Sequence, residues 1–429
     1  MTAKFFSCFI LGLFFLLFFS PPLLQAGEYQ WGVEITESYL SQTYYLDRYQ
    51  NQFSYEESSN LIGLGPNFQF EMGEGISGYF RGYLYWSHLF NGDQFETRDS
   101  DLVDIYLSDT YLEFKNRKWS SQLGLKPVQF GKGLIFSDDA VAASIQFKNG
   151  PLYFDIYGAR VMDNSPILGG SIGYRLGMFQ QIETFALYYE DREDAFSRTV
   201  YPLLSVSDLT NEGYLSWFGV SADLFMGNIY LTAVGIYQQG QMEFFHLLER
   251  FNRNVSAYLF DVGIETNLTE QLSLGLFCFT ASGDNQPLRD DFSAFISPLP
   301  YNSRASIFFD PNFVELDETN SLIFGGTTAH GVIAPGLAFT IEPLQDLLIE
   351  GKAVSFYPQS KPSTQKSWYG WEVDLEISYR FKDNTIIFIE IDRFEHGDFF
   401  KTKAGYEPEA AVRLSIGIQM PFLPPKNEW

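Results

Sequence analysis

Alternation at every second residue constrains this chain more than any other feature. Trp371, Val373, Leu375, Ile377, Tyr379 and Phe381 interleave with Glu372, Asp374, Glu376, Ser378 and Arg380. In a strand, successive side chains point to opposite faces, so one face of this segment suits lipid and the other suits water. The pattern recurs at Tyr29, Trp31, Val33 and Ile35 against Gln30, Gly32, Glu34 and Thr36, and at Tyr258, Phe260, Val262 and Ile264 against Asp261, Gly263 and Glu265. It returns near the end, with Leu414, Ile416, Ile418, Met420 and Phe422 against Arg413, Ser415, Gly417 and Gln419. A soluble sandwich shows the same period, but its strands are usually shorter and its apolar faces meet in a core.

Connector lengths separate the two readings. Strands are expected near 28–40, 59–72, 76–90, 102–115, 119–130, 140–148, 151–162, 166–177, 182–190, 214–226, 229–238, 255–267, 271–281, 329–342, 346–356, 368–381, 385–394 and 410–422. The even-numbered breaks are short, as at Asn149-Gly150 and Gly227-Asn228, whereas the odd-numbered ones are mostly long: 41–58, 91–101, 191–213, 239–254, 282–328 and 395–409. Short turns at one end and long loops at the other are the asymmetry of a transmembrane antiparallel up-and-down β-barrel, the short turns being periplasmic. The fold class is therefore all-β. The count is 18 strands, with 16 as the alternative because 102–115, 271–281 and 346–356 alternate poorly. Bulges that reverse parity would produce such segments.

The N-terminus reads as a secretory leader. Lys4 precedes an apolar run from Phe5 to Phe19, prolines break it at Pro21 and Pro22, and Leu24-Gln25-Ala26 precedes Gly27. Cleavage is expected near Ala26, leaving 27–429 as a single outer-membrane barrel domain in a Gram-negative-type envelope. Beyond the leader stands one cysteine, Cys278, so no disulfide framework is available. Aromatic residues make up 18% of the chain and the net charge is −25. Girdled barrels are rich in aromatics, and an acidic chain is unsuited to nucleic acid. No G-x-S-x-G is present, and His88, His246, His330 and His396 stand at loop edges or in loops without an evident Ser and Asp partner. An enzyme is not expected, nor is a cofactor. Asp284, Asp290 and Asp291 lack the ligand spacing of a calcium loop, so no metal site is assigned.

Gly370-Trp371-Glu372-Val373-Asp374-Leu375, Ser282-Gly283-Asp284 and Phe130-Gly131-Lys132-Gly133 resemble motifs of the alginate-export family of outer-membrane porin-like barrels. The first is followed by a hairpin and then by Phe394-Glu395-His396-Gly397. Ser282-Gly283-Asp284 resembles that family's SGD loop, and Gly124 with Phe130-Gly131-Lys132-Gly133 resembles a third motif. In the third motif Leu125 and Lys126 follow Gly124, where the family tends to carry Gly-Arg-Gln. The resemblance implies a porin-like channel for diffusion or export of a hydrophilic solute, including an anionic polysaccharide such as alginate. An acidic lumen points instead to cations or neutral sugars. An adhesin or assembly scaffold without a conducting pore is the alternative class.

In a barrel of this kind the site is the lumen wall, where rings of charge and constrictions set selectivity. Parity assigns Glu34, Arg81, Lys126, Arg175, Asp261, Glu265, Glu372, Asp374, Glu376, Arg380, Glu390, Asp392 and Arg413 to that wall. Arg380 and Arg413 facing the acids of 372–376 would set a transverse field across an eyelet. Segment 282–328, with Phe292, Phe295, Phe308 and Phe309, is either a lid folded into the pore or a cap on the outer rim. The partners expected are outer-membrane lipid, the transported solute or polysaccharide, and the barrel-assembly machinery acting through the C-terminal strand.

Overall fold

The computed structural model describes residues 29–43, 46–47, 52–53, 57–71, 75–91, 101–161, 165–191, 213–246, 249–284, 291–297, 302–309, 330–360, 367–381, 384–400 and 410–422. The leader, residues 192–212 and the span 310–329 lie outside them. Eighteen strands form one sheet: β1 (Tyr29–Thr43), β2 (Glu57–Glu71), β3 (Ile76–Asn91), β4 (Asp101–Lys115), β5 (Trp119–Phe130), β6 (Phe136–Asn149), β7 (Leu152–Val161), β8 (Ser165–Arg175) and β9 (Gln181–Asp191). The second half comprises β10 (Gly213–Met226), β11 (Ile229–His246), β12 (Glu249–Asn267), β13 (Leu272–Ala281), β14 (Val332–Leu344), β15 (Leu347–Phe356), β16 (Gly370–Arg380), β17 (Ile386–His396) and β18 (Ala411–Phe422). Every neighbour pair is antiparallel, and β1 pairs with both β2 and β18, so the sheet closes on itself. The 16-strand alternative is thereby removed. No described helix is long and apolar enough to cross a membrane.

Closure follows from the medium. In hydrocarbon each unsatisfied N–H or C=O costs several kcal/mol, so a spanning sheet has to join its edges. The outward face carries the apolar half of each alternation: Leu123, Val141, Ile156, Leu168, Val220, Leu276 and Leu337 are each more than half exposed. Such a ring of bare aliphatic side chains would be a severe aggregation hazard in water and is the expected surface in lipid. Tyr188, Tyr214, Tyr237, Tyr258 and Trp371 stand on the outward face toward the long-loop end, and Tyr174, Tyr379 and Phe381 toward the other. The buried charged groups of the strands, Lys126, Glu372, Asp374 and Asp392 among them, are on the inward face.

The three poorly alternating strands have distinct causes. In β4, Ser108 and Asp109 together stand opposite Arg81, between the pairs Phe80↔Thr110 and Gly82↔Leu107. That extra residue reverses parity, which is why Ile105 and Leu112 both face outward despite odd spacing. In β13 and β15 the inward positions Phe277, Phe279, Val354 and Phe356 are buried and apolar because protein, not water, covers them. The expected long break at 239–254 is also corrected. Strands β11 and β12 stay paired from Gln239↔Ser256 to His246↔Glu249, leaving 247–248 as the connection. Gln239, Gln241, Asn252 and Asn254 stand beyond the lipid belt, where no apolar alternation is imposed.

At the short-turn end, Gly150 and Gly227 take positive φ values of 62° and 65°, the conformation a two-residue hairpin turn needs. Substituting the outward Ile389 with Arg places a guanidinium in the belt. We expect a loss of about 2–4 kcal/mol in reversible folding into lipid vesicles. Unchanged stability would contradict the assignment of faces.

Candidate functional site in the barrel lumen

Two described stretches of the long connection from β13 to β14, residues 291–297 and 302–309, lie inside the barrel. Phe292 is pinned to β12 through Ser256 N–H donating to its carbonyl (3.0 Å) and its own N–H donating to Asn254 (2.8 Å). Four residues on, Gln238 of β11 clamps Ile296 in both directions: its amide nitrogen donates to the Ile296 carbonyl at 2.8 Å, and its amide oxygen accepts from the Ile296 N–H at 2.9 Å. Trp217 of β10 donates to the same carbonyl at 3.3 Å. The Ser297 hydroxyl then lies 2.6 and 2.7 Å from the carbonyls of Leu134 and Ile135, in the turn between β5 and β6. Residues 291–297 thus reach from β12 to the β5–β6 turn, and Phe292, Phe295 and Ile296 are fully buried.

Residues 302–309 run along the other wall. The Arg304 guanidinium donates twice to Asp261 of β12, at 3.0 and 3.2 Å, and stacks over Phe277 at 4.7 Å. Lys352 of β15 donates to the Ser303 carbonyl at 2.7 Å. The tightest attachment is Glu372 of β16, whose carboxylate accepts the consecutive backbone N–H groups of Ser306, Ile307 and Phe308 at 2.7, 2.6 and 2.7 Å. Asp374 accepts the Ser306 N–H as well, at 3.2 Å. Arg413 of β18 donates to Asp392 at 2.8 Å, to Glu390 at 3.0 Å and to the Ser306 carbonyl at 3.2 Å. Phe308 caps the cluster, stacked on Phe356 with centroids 3.9 Å apart and flanked by Tyr369 and Phe394.

Burial makes this network necessary. Glu372 has no exposed surface, and a carboxylate taken out of water is tolerated only when its lone pairs are filled. Three amide donors on one carboxylate do that, each charge-assisted bond contributing about 1.5–3 kcal/mol. Conversely, an inserted loop carries amides that water no longer solvates, and the acid satisfies them.

The wall from β2 to β10 is lined differently. Arg81 lies 3.7 Å from Asp109. Lys126 donates to Gln122 at 2.8 Å and to Ser144 at 2.6 Å, and Lys132 of the β5–β6 turn pairs with Asp223 at 2.6 Å. Toward the short-turn end a cavity of about 560 Å³ is lined by Arg175, Gln181, Asp223, Phe225 and Tyr230 among others. Inward tyrosines alternate with these charges, including the stacked pair Tyr79 and Tyr111, 4.7 Å apart.

The expected wall residues are thus brought together in part. Glu372, Asp374, Glu390, Asp392 and Arg413 form one network, and Asp261 joins it through the loop. Arg81 and Lys126 stand on the opposite wall. Arg175 lies over the Tyr153 ring at 5.2 Å. Glu376 is half-buried on the β16 wall, whereas Glu265 and Arg380 are exposed. Glu34 is placed only by register, between Gly65 and Pro421, its side chain lying outside the described residues. The transverse field across an eyelet is corrected. Arg413 contacts its acids directly, and Arg380 sits eight residues from Glu372 along β16, about 26 Å away at strand rise. Arg304, Gln238, Trp217 and Ser297 were not expected. Their only sequence signal is the aromatic richness of the segment they hold. Among the described residues, no group of three or more His, Cys, Asp or Glu could hold a metal. Asp284 and Asp291 accept hydrogen bonds from Ser293 and Asn254, and Asp290 lies outside the described residues.

Solved structures place this architecture. Acinetobacter baumannii OccAB4 superposes with a TM-score of 0.58 at 11% identity, covering 93% of this chain and 99% of that one. Pseudomonas aeruginosa OccK5 (OpdH) gives 0.55 at 12%, over 93% and 99%, and P. aeruginosa OccK2 (OpdF), solved in complex with glucuronate, gives 0.55 at 8%, over 92% and 98%. The chain has an outer-membrane porin fold. No family model matches the sequence, and no curated protein does. The likeness therefore lies in the barrel and not in shared sequence.

Replacing Glu372 with Ala leaves the Ile307 and Phe308 amides without an acceptor and the Ser306 amide with Asp374 alone. We expect segment 302–309 to detach and single-channel conductance to rise at least severalfold, with the barrel intact by heat-modifiable migration. Unchanged conductance would show that the segment does not narrow the path.

Proposed function

We propose that this chain is an outer-membrane channel through which small hydrophilic solutes diffuse, with a lumen narrowed by its own β13–β14 segment. The observation that carries the reading is the combination of a lipid-facing aliphatic belt with an inward loop fastened by Glu372, Gln238 and Arg304. An 18-strand barrel encloses an aqueous channel unless something occupies it. Here the inserted segment covers the wall from β10 to β18 and reaches the β5–β6 turn, while charged and phenolic groups line the β2–β8 side. Constriction by a fixed loop favours discrete small solutes, and the glucuronate complex of OccK2 concerns a solute of that scale.

Export of a polysaccharide such as alginate is the finer reading that the GWEVDL, SGD and FGKG motifs support. Against it, Ser282 and Gly283 of the SGD motif hold the inward loop in place: the Ser282 hydroxyl is 2.8 Å from the Ser293 carbonyl, and the Gly283 carbonyl accepts from the Ser293 hydroxyl at 3.0 Å. In this chain those motif residues narrow the lumen. Delivery would follow the route of such barrels: leader cleavage near Ala26, then insertion by the assembly machinery through β18.

Liposome swelling tests the reading. Vesicles carrying the protein should admit monosaccharides and small amino acids, with rates falling steeply for solutes above roughly trisaccharide size. Removal of residues 291–309 should raise the cut-off. Vesicles as tight as protein-free controls would favour an adhesin or scaffold instead.

A further inference from the structure

We propose that the β3–β7 wall is a binding track for neutral polyhydroxylated solutes, the saccharide class, running along the open side of the lumen. The proposal rests on the channel reading and names the solute class for that same lumen.

Its first support is geometry. Tyr79, Arg81, Tyr83 and Tyr85 occupy successive inward positions of β3, a spacing of about 7 Å per step. Tyr111 of β4 stacks on Tyr79 at 4.7 Å with 19° between the planes, and Tyr83 and Tyr85 lie 5.5 Å apart at 20°. Farther round, the buried Tyr153 ring backs this wall, lying flat over Gly173, where a Cβ would fall 2.0 Å from the ring; the half-buried rings of β3 and β4 form the track. The rings are rigid, have two rotatable angles each, and offer an apolar face with a polar edge. A sugar ring has the complementary surface, C–H groups on its faces and hydroxyls around its rim.

The second support is how the bases on this wall are used. Arg81 is ion-paired with Asp109 and stacks on Tyr83 at 5.1 Å. Lys126 is held by Gln122 and Ser144, Lys132 by Asp223, and Arg175 lies over Tyr153. The exposed Lys148 of β6, opposite Tyr153, stands beside the acid Asp155. A carboxylated solute would have to displace an existing partner to recruit any of the other four cations. A neutral polyol would not, because Glu183, already accepting from the Tyr153 hydroxyl at 2.6 Å, and the amides Gln69, Gln122 and Gln181 provide hydrogen-bonding groups beside the rings. The loop-covered wall is the contrast. There the aromatics, Trp217, Phe277, Phe279, Phe356, Tyr369 and Phe394, are buried beneath the inserted segment or in its anchoring cluster and present no face to the open lumen.

The test is equilibrium binding of maltotriose and of glucuronate to the detergent-solubilised full-length protein, read by intrinsic fluorescence and calorimetry. We expect saturable maltotriose binding in the millimolar range or tighter, and weaker binding of glucuronate. Y79A, Y85A and Y111A together should weaken maltotriose about 10-fold or more, equal to about 1.4 kcal/mol, whereas the three Tyr→Phe changes should keep it within about 3-fold. Absence of maltotriose binding, tighter binding of glucuronate, or an unaltered triple-alanine variant that migrates as a folded barrel would each overturn the proposal. The wild-type comparison of the two solutes decides it even if the alanine variant fails to fold. Conductance of the same preparation keeps the two readings apart: a conducting barrel indifferent to maltotriose removes only the track, and a barrel that binds maltotriose but passes no current removes only the channel.

Discussion

A carboxylate with no access to water holds the interior of this barrel in its shape. Glu372 gathers three consecutive amides of the β13–β14 segment, and neither partner is stable there without the other. The acid would be an unpaired buried charge, and the amides would be donors stripped of water. Breaking such a buried arrangement from one side typically costs about 3–5 kcal/mol, enough to make the inserted position of the loop a fixed feature. Arg413, Asp392, Glu390 and Asp374 surround this point, so the net negative charge of the β16–β18 wall is used largely within the protein.

Outside the lumen the governing constraint is simpler. Lipid demands aliphatic side chains outward and complete backbone pairing, which alternating strands joined edge to edge provide. The two constraints meet at β13 and β15. Their outward residues obey the lipid, and the inward Phe277, Phe279, Val354 and Phe356 obey the loop, so the alternation blurs there, with Lys352 as a polar attachment point on β15. The division of the lumen follows: buried aromatics and charge pairs tied to the loop where it covers the wall, half-buried tyrosines where it does not.

This division explains what could be read from the sequence. The strand number, the antiparallel ring and the lumen position of Glu372, Asp374, Glu390, Asp392 and Arg413 all follow from parity, since alternation reports on which solvent each face meets. Parity cannot report on what fills the lumen. The bond between Ser297 and Leu134 spans 163 residues and that between Gln238 and Ile296 spans 58, with no local pattern to mark either. Nor does parity survive a bulge, as Ser108 and Asp109 show opposite Arg81. The long break expected at 239–254 failed for a related reason: strands continuing past the lipid need no apolar face. The eyelet field misjudged Arg380 because two bases on neighbouring inward faces need not share a depth.

Hydrogen exchange at single-residue resolution, on the full chain in a lipid bilayer, tests the central claim most directly. The amides of Ser306, Ile307 and Phe308 should be protected to nearly the degree of the barrel strands, and Glu372→Ala should selectively release those of Ile307 and Phe308. Exchange of those three amides at the rate of a solvated surface loop in the wild-type protein would contradict the account.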